Sequence, residues 1–159
     1  MSTLPESVQK VARAAEALGL AIHVREMVES TRTAEEAAAA CGCDLGQIVK
    51  SLVFRGKTSG RPYLLLVSGR NRVDEAAVAR HLGEKLKRPD AAYVREVSGF
   101  AIGGIPPFGH SDEIVTYVDE DLLGYEVVWA AAGTPRAVFA VDPKALAAAI
   151  GATAIDVGA

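Results

Sequence analysis

The chain has 159 residues, of which 50% are hydrophobic and 23% charged, and this length predicts one compact domain over residues 1–159. With 15 glycines and 7 prolines the composition is close to the globular average, which excludes a wholly disordered or collagen-like chain. The longest apolar runs fall far short of the ~20 residues of a membrane span, and the N-terminus lacks the order of a secretory signal, so we expect a cytoplasmic protein with no membrane contact.

The charged residues are distributed unevenly, although the net charge is only −3. Residues 45–73 include six basic residues and no acidic one, and residues 45–95 include eleven basic and four acidic residues. From residue 96 to the end, two basic residues stand against nine acidic ones. This asymmetry indicates either a side that faces a polyanion or a solvated surface whose charges mix once the chain folds.

Three helices and three strands are predicted in the first half of the chain. Apolar residues recur at helical spacing between Pro5 and Gly19, and Thr33 with Glu36 forms a capping box before an alanine-rich helix. The segments IVKSLVFR and PYLLLV flank GKTSG, which is typical of a hairpin. The predicted helices cover residues 5–18, 34–41 and 74–82, and the predicted strands cover residues 21–26, 48–55 and 62–67.

The second half is predicted to contain two helices and three strands around a loop rich in glycine and proline. The predicted helices lie near residues 90–97 and at 143–150, the strands at 114–118, 125–130 and 136–141, and the loop FAIGGIPPFGH at 100–110. Helices and strands alternate irregularly, which favours an α+β fold around a mixed sheet over a doubly wound parallel sheet.

Most standard catalytic motifs are missing from the sequence. It contains no phosphate-binding loop, dinucleotide fingerprint, zinc-protease helix or esterase elbow. Cys41 and Cys43 are separated by one glycine, and the three histidines are scattered, so a zinc site is disfavoured. We interpret the cysteines as small, half-buried thiols at a helix end, and we expect no metal and no redox cofactor.

Lys50 is the most informative charged residue because it interrupts the apolar strand IVKSLVF. Burial of an unpaired ammonium group is costly, so the side chain must reach solvent, a counter-ion or a ligand. Two interpretations remain open: the lysine extends to water at the end of a sheet, or it faces a ligand in a cleft.

The loop GGIPPFGH, residues 103–110, is a second candidate site. Glycines let backbone amides approach a ligand and prolines stiffen the chain, so the loop is suited to donating hydrogen bonds to a carbonyl or oxyanion. An ordinary structural loop would have the same composition, and His110 fits either a general base or a structural histidine. The segment AAGTP, residues 131–135, is either a pocket wall of small residues or a simple turn.

In combination these segments resemble a known family. The order TAEEAAAACG, QIVKSLVF, GRNRVD, GGIPPFGH, YVDEDLL and VVWAAAGTP is similar to that of the YbaK and prolyl-tRNA-synthetase-associated editing-domain family, over about residues 20–150. Members are freestanding relatives of the editing domain inserted in bacterial prolyl-tRNA synthetases, and they hydrolyse mischarged aminoacyl-tRNA in trans. The resemblance implies a single α+β domain whose mixed, partly barrel-like β-sheet is flanked by helices.

The resemblance also implies roles for individual residues. Lys50 matches the family's signature lysine, and residues 103–107 match its Gly-x-x-x-Pro loop. The backbone amides of Gly103, Gly104 and Ile105 are the candidates for holding the ester carbonyl or the attacking water. The candidate substrate-binding residues are Ser51, Pro106, Pro107, His110, Gly133 and Thr134, and the basic excess makes Arg55, Lys57, Arg70 and Arg72 the candidate tRNA contacts.

The leading hypothesis is a trans-editing deacylase that acts on mischarged tRNA, with tRNA-Pro carrying a small non-cognate amino acid as the expected substrate. A prolyl-tRNA synthetase is a further partner that the resemblance implies, whereas DNA is not expected. The alternative is a non-catalytic module that binds tRNA or a synthetase through the same cleft. A small-molecule ester or amide hydrolase ranks last because the sequence shows no catalytic triad or metal set.

Overall fold

Five α-helices and eight β-strands follow one another irregularly in the computed structural model, which describes residues 4–158. The helices are α1 (Glu6–Ala17), α2 (Ala34–Cys41), α3 (Glu75–Leu82), α4 (Ala91–Ser98) and α5 (Pro143–Ile150). The strands are β1 (Val24–Glu26), β2 (Val49–Gly56), β3 (Pro62–Ser68), β4 (Leu86–Lys87), β5 (Val115–Asp119), β6 (Val128–Ala131), β7 (Ala137–Val141) and β8 (Thr153–Ile155). Two short 3₁₀ helices cover Leu45–Gln47 and Glu120–Gly124.

The predicted ends of α2 are confirmed by its caps. The hydroxyl of Thr33 accepts from the amide of Glu36, whose carboxylate accepts from the amide of Thr33, so both partners of the capping box are in place. Gly42 ends α2 in the left-handed conformation, which a glycine adopts without steric cost. Cys41 and Cys43, next to this end, are half-buried free thiols, and burial raises the pKa of Cys41 to about 11, with a smaller contribution from Cys43.

The strands form two sheets rather than the single mixed sheet that was predicted. The first is antiparallel with the order β1-β7-β6, and the second is mixed with the order β4-β2-β3-β5-β8. They meet at an isolated bridge between Ile48 and Trp129, just before β2 begins. The α+β class is confirmed, but β6 begins only at Val128 and reaches β2 through this one bridge, so the sheet is interrupted there.

Two strands of the five-stranded sheet lie outside the predicted elements. β4 has only two residues and pairs with Arg55 and Gly56 at the end of β2. β8 has three residues and runs parallel to β5, pairing Thr153 with Tyr117. β1 was predicted over residues 21–26 but begins at Val24, because only three residues find partners on β7.

β3 is the centre of the core, with its residues 64–67 at most 1% exposed. Leu64 and Leu66 pack in a cluster with Val8 and Val11 of α1, whereas the alternate side chains of β3 pack in a cluster with α3. Both faces of the strand are therefore covered. No helix within residues 4–158 is long and apolar enough to cross a membrane.

The neighbour of β3, strand β2, has an open edge that positions the site. β2 pairs with β3 over residues 49–55, but on its other side β4 contacts only Arg55 and Gly56. Within the described residues, the edge of β2 from residue 50 to residue 54 therefore has no strand beside it.

Candidate active site

A cavity of about 240 Å³ lies beside the open edge of β2, and we call it the small chamber. Lys50 and Ser51 of β2 form one wall, and Gly103 and Ile105 of the loop between α4 and β5 form a second. Residues 129–131 of β6 close a third side. The chamber thus joins the lysine strand and the glycine loop, which are far apart in the sequence.

The Lys50 side chain is half-buried and held in one orientation. Its Nζ atom donates a hydrogen bond to the backbone oxygen of Asn71, which leaves two of the three ammonium donors for a ligand. Burial lowers the pKa of Lys50, and the nearby Arg72 acts in the same direction, while the carboxylates of Glu35 and Asp119 oppose the shift. Of the two interpretations of Lys50, this geometry fits the ligand-facing lysine.

A buried carboxylate organises the chain segment that holds Lys50. Asp119 is 2% exposed, and its Oδ2 atom accepts from the Asn71 side-chain amide at 2.8 Å and from the Ser68 backbone amide at 3.1 Å. The side-chain amide of Asn71 also donates to Asp121 at 2.7 Å. Asp119 thus orients Asn71, and the backbone of Asn71 orients Lys50. Sequence reasoning missed both residues, although the acidic segment YVDEDLL offered a signal.

The glycine loop is anchored at Gly104, which corrects the prediction for that residue. The Gly104 amide donates to the Ala101 oxygen at 3.0 Å, so it is not free for an oxyanion, and the Gly104 oxygen accepts from Gly133 at 2.9 Å. A Cβ atom at Gly104 would lie 2.8 Å from the backbone nitrogen of Thr134, so only glycine fits there. The amides of Gly103 and Ile105 make no hydrogen bond within residues 4–158 and remain available as donors.

Several predicted substrate contacts support the loop instead of lining the small chamber. Pro106 and Pro107 are buried and do not line the chamber. The Nε2 atom of His110 donates to the Pro106 oxygen at 2.7 Å, since a carbonyl oxygen only accepts. Gly133 and Thr134 pack against Gly104, so the opposite wall is formed by residues 129–131, of which the sequence had indicated only Ala131 as part of a pocket wall. Of the two roles considered for His110, this contact fits the structural one.

Replacing His110 with alanine is expected to lower the free energy of unfolding by about 1–3 kcal/mol at neutral pH, because the buried Pro106 oxygen loses its donor. Burial lowers the pKa of His110 from its ordinary value of 6.5, so its contribution to stability is complete above that pH. The contribution is lost as the pH falls through the lower pKa of the folded state.

Urea unfolding of the wild type, His110→Ala and the control His23→Ala at about pH 7.5 and about pH 5.5 tests this. His23 is exposed and serves as a control for loss of an imidazole. The difference in the free energy of unfolding between the wild type and His110→Ala should be smaller at the lower pH. An equal difference in the free energy of unfolding at both pH values would show that His110 does not contribute as a neutral donor.

Ser51, which lines the small chamber, has an unusual hydroxyl. Its Oγ atom is buried and has no hydrogen-bond partner among the described residues. A buried unpartnered hydroxyl costs free energy, so its retention here suits a partner that arrives with a ligand. Ser68 on the paired strand offers a contrast, since its Oγ donates to the Gly46 oxygen at 2.7 Å.

Ser51→Ala and Ser68→Ala are expected to affect stability differently. Ser51→Ala leaves the thermal midpoint unchanged or raises it, because it removes no hydrogen bond, whereas Ser68→Ala lowers stability by about 1 kcal/mol or more. Thermal unfolding of the two variants beside the wild type measures the difference. Equal losses would indicate that Ser51 has a partner in the folded protein.

The four predicted tRNA contacts do not form one patch. Arg70 and Arg72 are exposed and flank Asn71, next to Lys50. Arg55 lies over the ring of Tyr93 at 4.8 Å and donates to the Gly60 oxygen at 3.2 Å, so its guanidinium is already engaged. Lys57 is exposed just beyond the far end of β2, roughly 20 Å along the strand from Lys50.

Most of the chain is similar to one known protein family. The model of the aminoacyl-tRNA editing domain matches residues 28–149, which include the lysine strand, the glycine loop and β6. The chain belongs to this family. Membership confirms the resemblance found in the sequence and supports aminoacyl-tRNA deacylation as the activity.

Individual relatives agree with this membership. A solved structure described as that of a candidate trans-editing enzyme for prolyl tRNA synthetase is 51% identical, with a TM-score of 0.91 over 97% of this chain and 98% of that one. The uncharacterized protein YwhH of Bacillus subtilis (strain 168) is 32% identical over 77% of this chain and 78% of its own. A proline–tRNA ligase of Limosilactobacillus fermentum is 30% identical over 63% of this chain, which corresponds to 18% of the ligase.

Proposed function

We propose that the protein is a trans-editing hydrolase that deacylates mischarged tRNA, with tRNA-Pro carrying a small non-cognate amino acid as its substrate. The observation that carries the proposal is the small chamber, whose lining includes four residues with unused hydrogen-bonding capacity: Lys50, Ser51, Gly103 and Ile105. A non-catalytic binding module would not need these donors around a cavity of this size.

Hydrolysis in this site requires no nucleophilic side chain. Water attacks the ester carbonyl carbon, the bond from that carbon to the ribose oxygen breaks, and the ribose oxygen takes up the proton that the water loses. The amides of Gly103 and Ile105 stabilise the negative charge that develops on the carbonyl oxygen, and such a donor contributes about 3 kcal/mol in comparable sites. Lys50 adds a positive charge that holds the aminoacyl group or a phosphate of the tRNA end.

The test is deacylation of a panel of mischarged tRNAs by the purified protein. We expect hydrolysis of at least one of alanyl-, seryl-, threonyl- and cysteinyl-tRNA well above the rate without protein. Tight binding of these tRNAs with no hydrolysis of any would instead favour the non-catalytic module. Addition of a prolyl-tRNA synthetase to the same assay examines the second proposed partner.

Binding of tRNA is expected to weaken steeply with salt, because the exposed Arg70 and Arg72 lie beside the small chamber, where phosphates of the acceptor end would pass. Charge reversal at both positions should lower affinity and reduce the slope of log affinity against log salt by about 2. Filter binding at several salt concentrations measures both effects, with the exposed Arg13→Glu on α1 as the control. A flat salt dependence of the wild type would contradict phosphate contacts.

A further inference from the structure

A second cavity, of about 600 Å³, adjoins the small chamber, and we call it the large chamber. The two cavities share one wall, which is formed by residues 50–52 of β2 together with Ile102 and Ile105 of the loop. Lys50 and Ser51 therefore line both cavities. A ligand that occupies both would cross this shared wall beside the Lys50 ammonium.

The large chamber combines two guanidinium groups with an apolar floor. We call the part of the lining formed by Val73, Pro89 and Val94 the apolar floor, and Arg72 and Arg88 also line the cavity. Arg72 is exposed and makes no hydrogen bond or ion pair within residues 4–158. The Arg88 side chain is 77% exposed and only its Nε atom is engaged, at 3.3 Å from Glu75, so its terminal nitrogen atoms are available.

We propose that the large chamber binds the terminal nucleotide of the tRNA, with the base and ribose on the apolar floor and the 5′-phosphate between Arg72 and Arg88. The inference rests on the proposed function. The small chamber falls below the ~300–1,000 Å³ of ordinary ligand pockets, whereas the large one lies within that range and suits a mononucleotide.

The chemistry of the substrate agrees with this division. The ester joins the amino acid to the terminal ribose, so an amino acid in the small chamber and a nucleotide in the large one place the scissile bond at the shared wall. Lys50 and Ile105 belong to that wall. Planar guanidinium groups bind phosphate through paired hydrogen bonds, and the exposed Arg72 and Arg88 supply two such groups. The terminal nucleotide of every tRNA is adenosine, so the ligand is the adenosine 5′-monophosphate unit.

Calorimetric titration with adenosine 5′-monophosphate tests the site directly. We expect binding to the wild type that is tighter than binding of adenosine or of inorganic phosphate, and at least tenfold weaker in Arg72→Ala/Arg88→Ala. The matched control is Arg13→Ala/Arg80→Ala, which removes two exposed arginines outside the chamber. Equal affinity in Arg72→Ala/Arg88→Ala and the wild type, or no saturable binding to the wild type, would overturn the proposal.

Deacylation kinetics give a second readout. The phosphate contacts are remote from the reacting bond, so Arg72→Ala/Arg88→Ala should raise KM for mischarged tRNA with little change in kcat. A wild type that binds the nucleotide through these arginines but deacylates no tRNA would refute the proposed function and leave the nucleotide site standing. A wild type that deacylates, with nucleotide affinity and KM unchanged in Arg72→Ala/Arg88→Ala, would refute the nucleotide site alone.

Discussion

Lys50→Ala is expected to slow deacylation of mischarged tRNA by about 10²–10³-fold, the loss typical of removing one preorganised group that stabilises developing charge. The ammonium is aligned by the Asn71 oxygen at the wall of the small chamber, and no other lysine within residues 4–158 lines that chamber. The fold should survive, because burial lowers the pKa of Lys50 and so disfavours its charged form. The relief from burying the ammonium offsets the loss of its hydrogen bond to the Asn71 oxygen, so the unfolding midpoint at neutral pH should change little.

Three variants separate the charge of Lys50 from a general effect of substitution. Lys50→Arg keeps the charge but changes its shape, so partial activity identifies the charge as the essential property. Lys144→Ala on α5 removes an exposed lysine outside both chambers and should retain wild-type rates. Single-turnover rates of deacylation by each variant measure the effect, and thermal unfolding confirms that each variant is folded. Near wild-type turnover in folded Lys50→Ala would remove Lys50 from the mechanism.

Local signals explain why the helices could be predicted from the sequence. The capping box of Thr33 and Glu36 and the left-handed glycine at position 42 lie within a few residues of the helix that they bound. The β2–β3 hairpin is equally local, since its strands are joined by a short turn. Each of these features is encoded by neighbours in the chain, and each was confirmed.

Elements that depend on distant partners could not be predicted in the same way. β4 and β8 have two and three residues, too few to show a period, and they exist as strands only because β2 and β5 pair with them. The split between the two sheets has the same origin, because it depends on how β6 meets Ile48.

The candidate site shows the same limit at the level of single residues. The motif around Gly104 indicated a loop of functional interest, but whether its amide is free depends on Ala101 and Gly133, which only the fold brings into view. His110 and Pro106 are close in sequence to the catalytic candidates, yet they support the loop from behind. The link from Asp119 through Asn71 to Lys50 joins three chain segments, so no short motif could contain it.

Alanyl- or seryl-tRNA is expected to be hydrolysed at least tenfold faster than prolyl-tRNA. The small chamber of about 240 Å³ must hold the amino acid and the attacking water, which takes about 30 Å³ in the liquid. Trp129 and Val138 line the chamber from the paired strands β6 and β7, so a larger substrate side chain cannot easily displace them. One methylene that fails to fit is worth about 1–3 kcal/mol, or about 10–200-fold in rate, and proline has more than one carbon beyond those of alanine, so we expect discrimination of at least tenfold.

Val138→Ala tests whether the volume of the small chamber sets this preference. The substitution removes two methyl groups from the chamber wall, so hydrolysis of prolyl-tRNA should rise relative to alanyl-tRNA by about tenfold. Val141→Ala makes the same change on the same strand, where the side chain is buried in the core outside the chamber, and should leave the ratio unchanged. Side-by-side hydrolysis of alanyl-, seryl-, threonyl-, cysteinyl- and prolyl-tRNA by the wild type and both variants gives the ratios. Comparable wild-type rates on prolyl- and alanyl-tRNA would contradict size exclusion, because such an enzyme would destroy the correctly charged product that editing must spare.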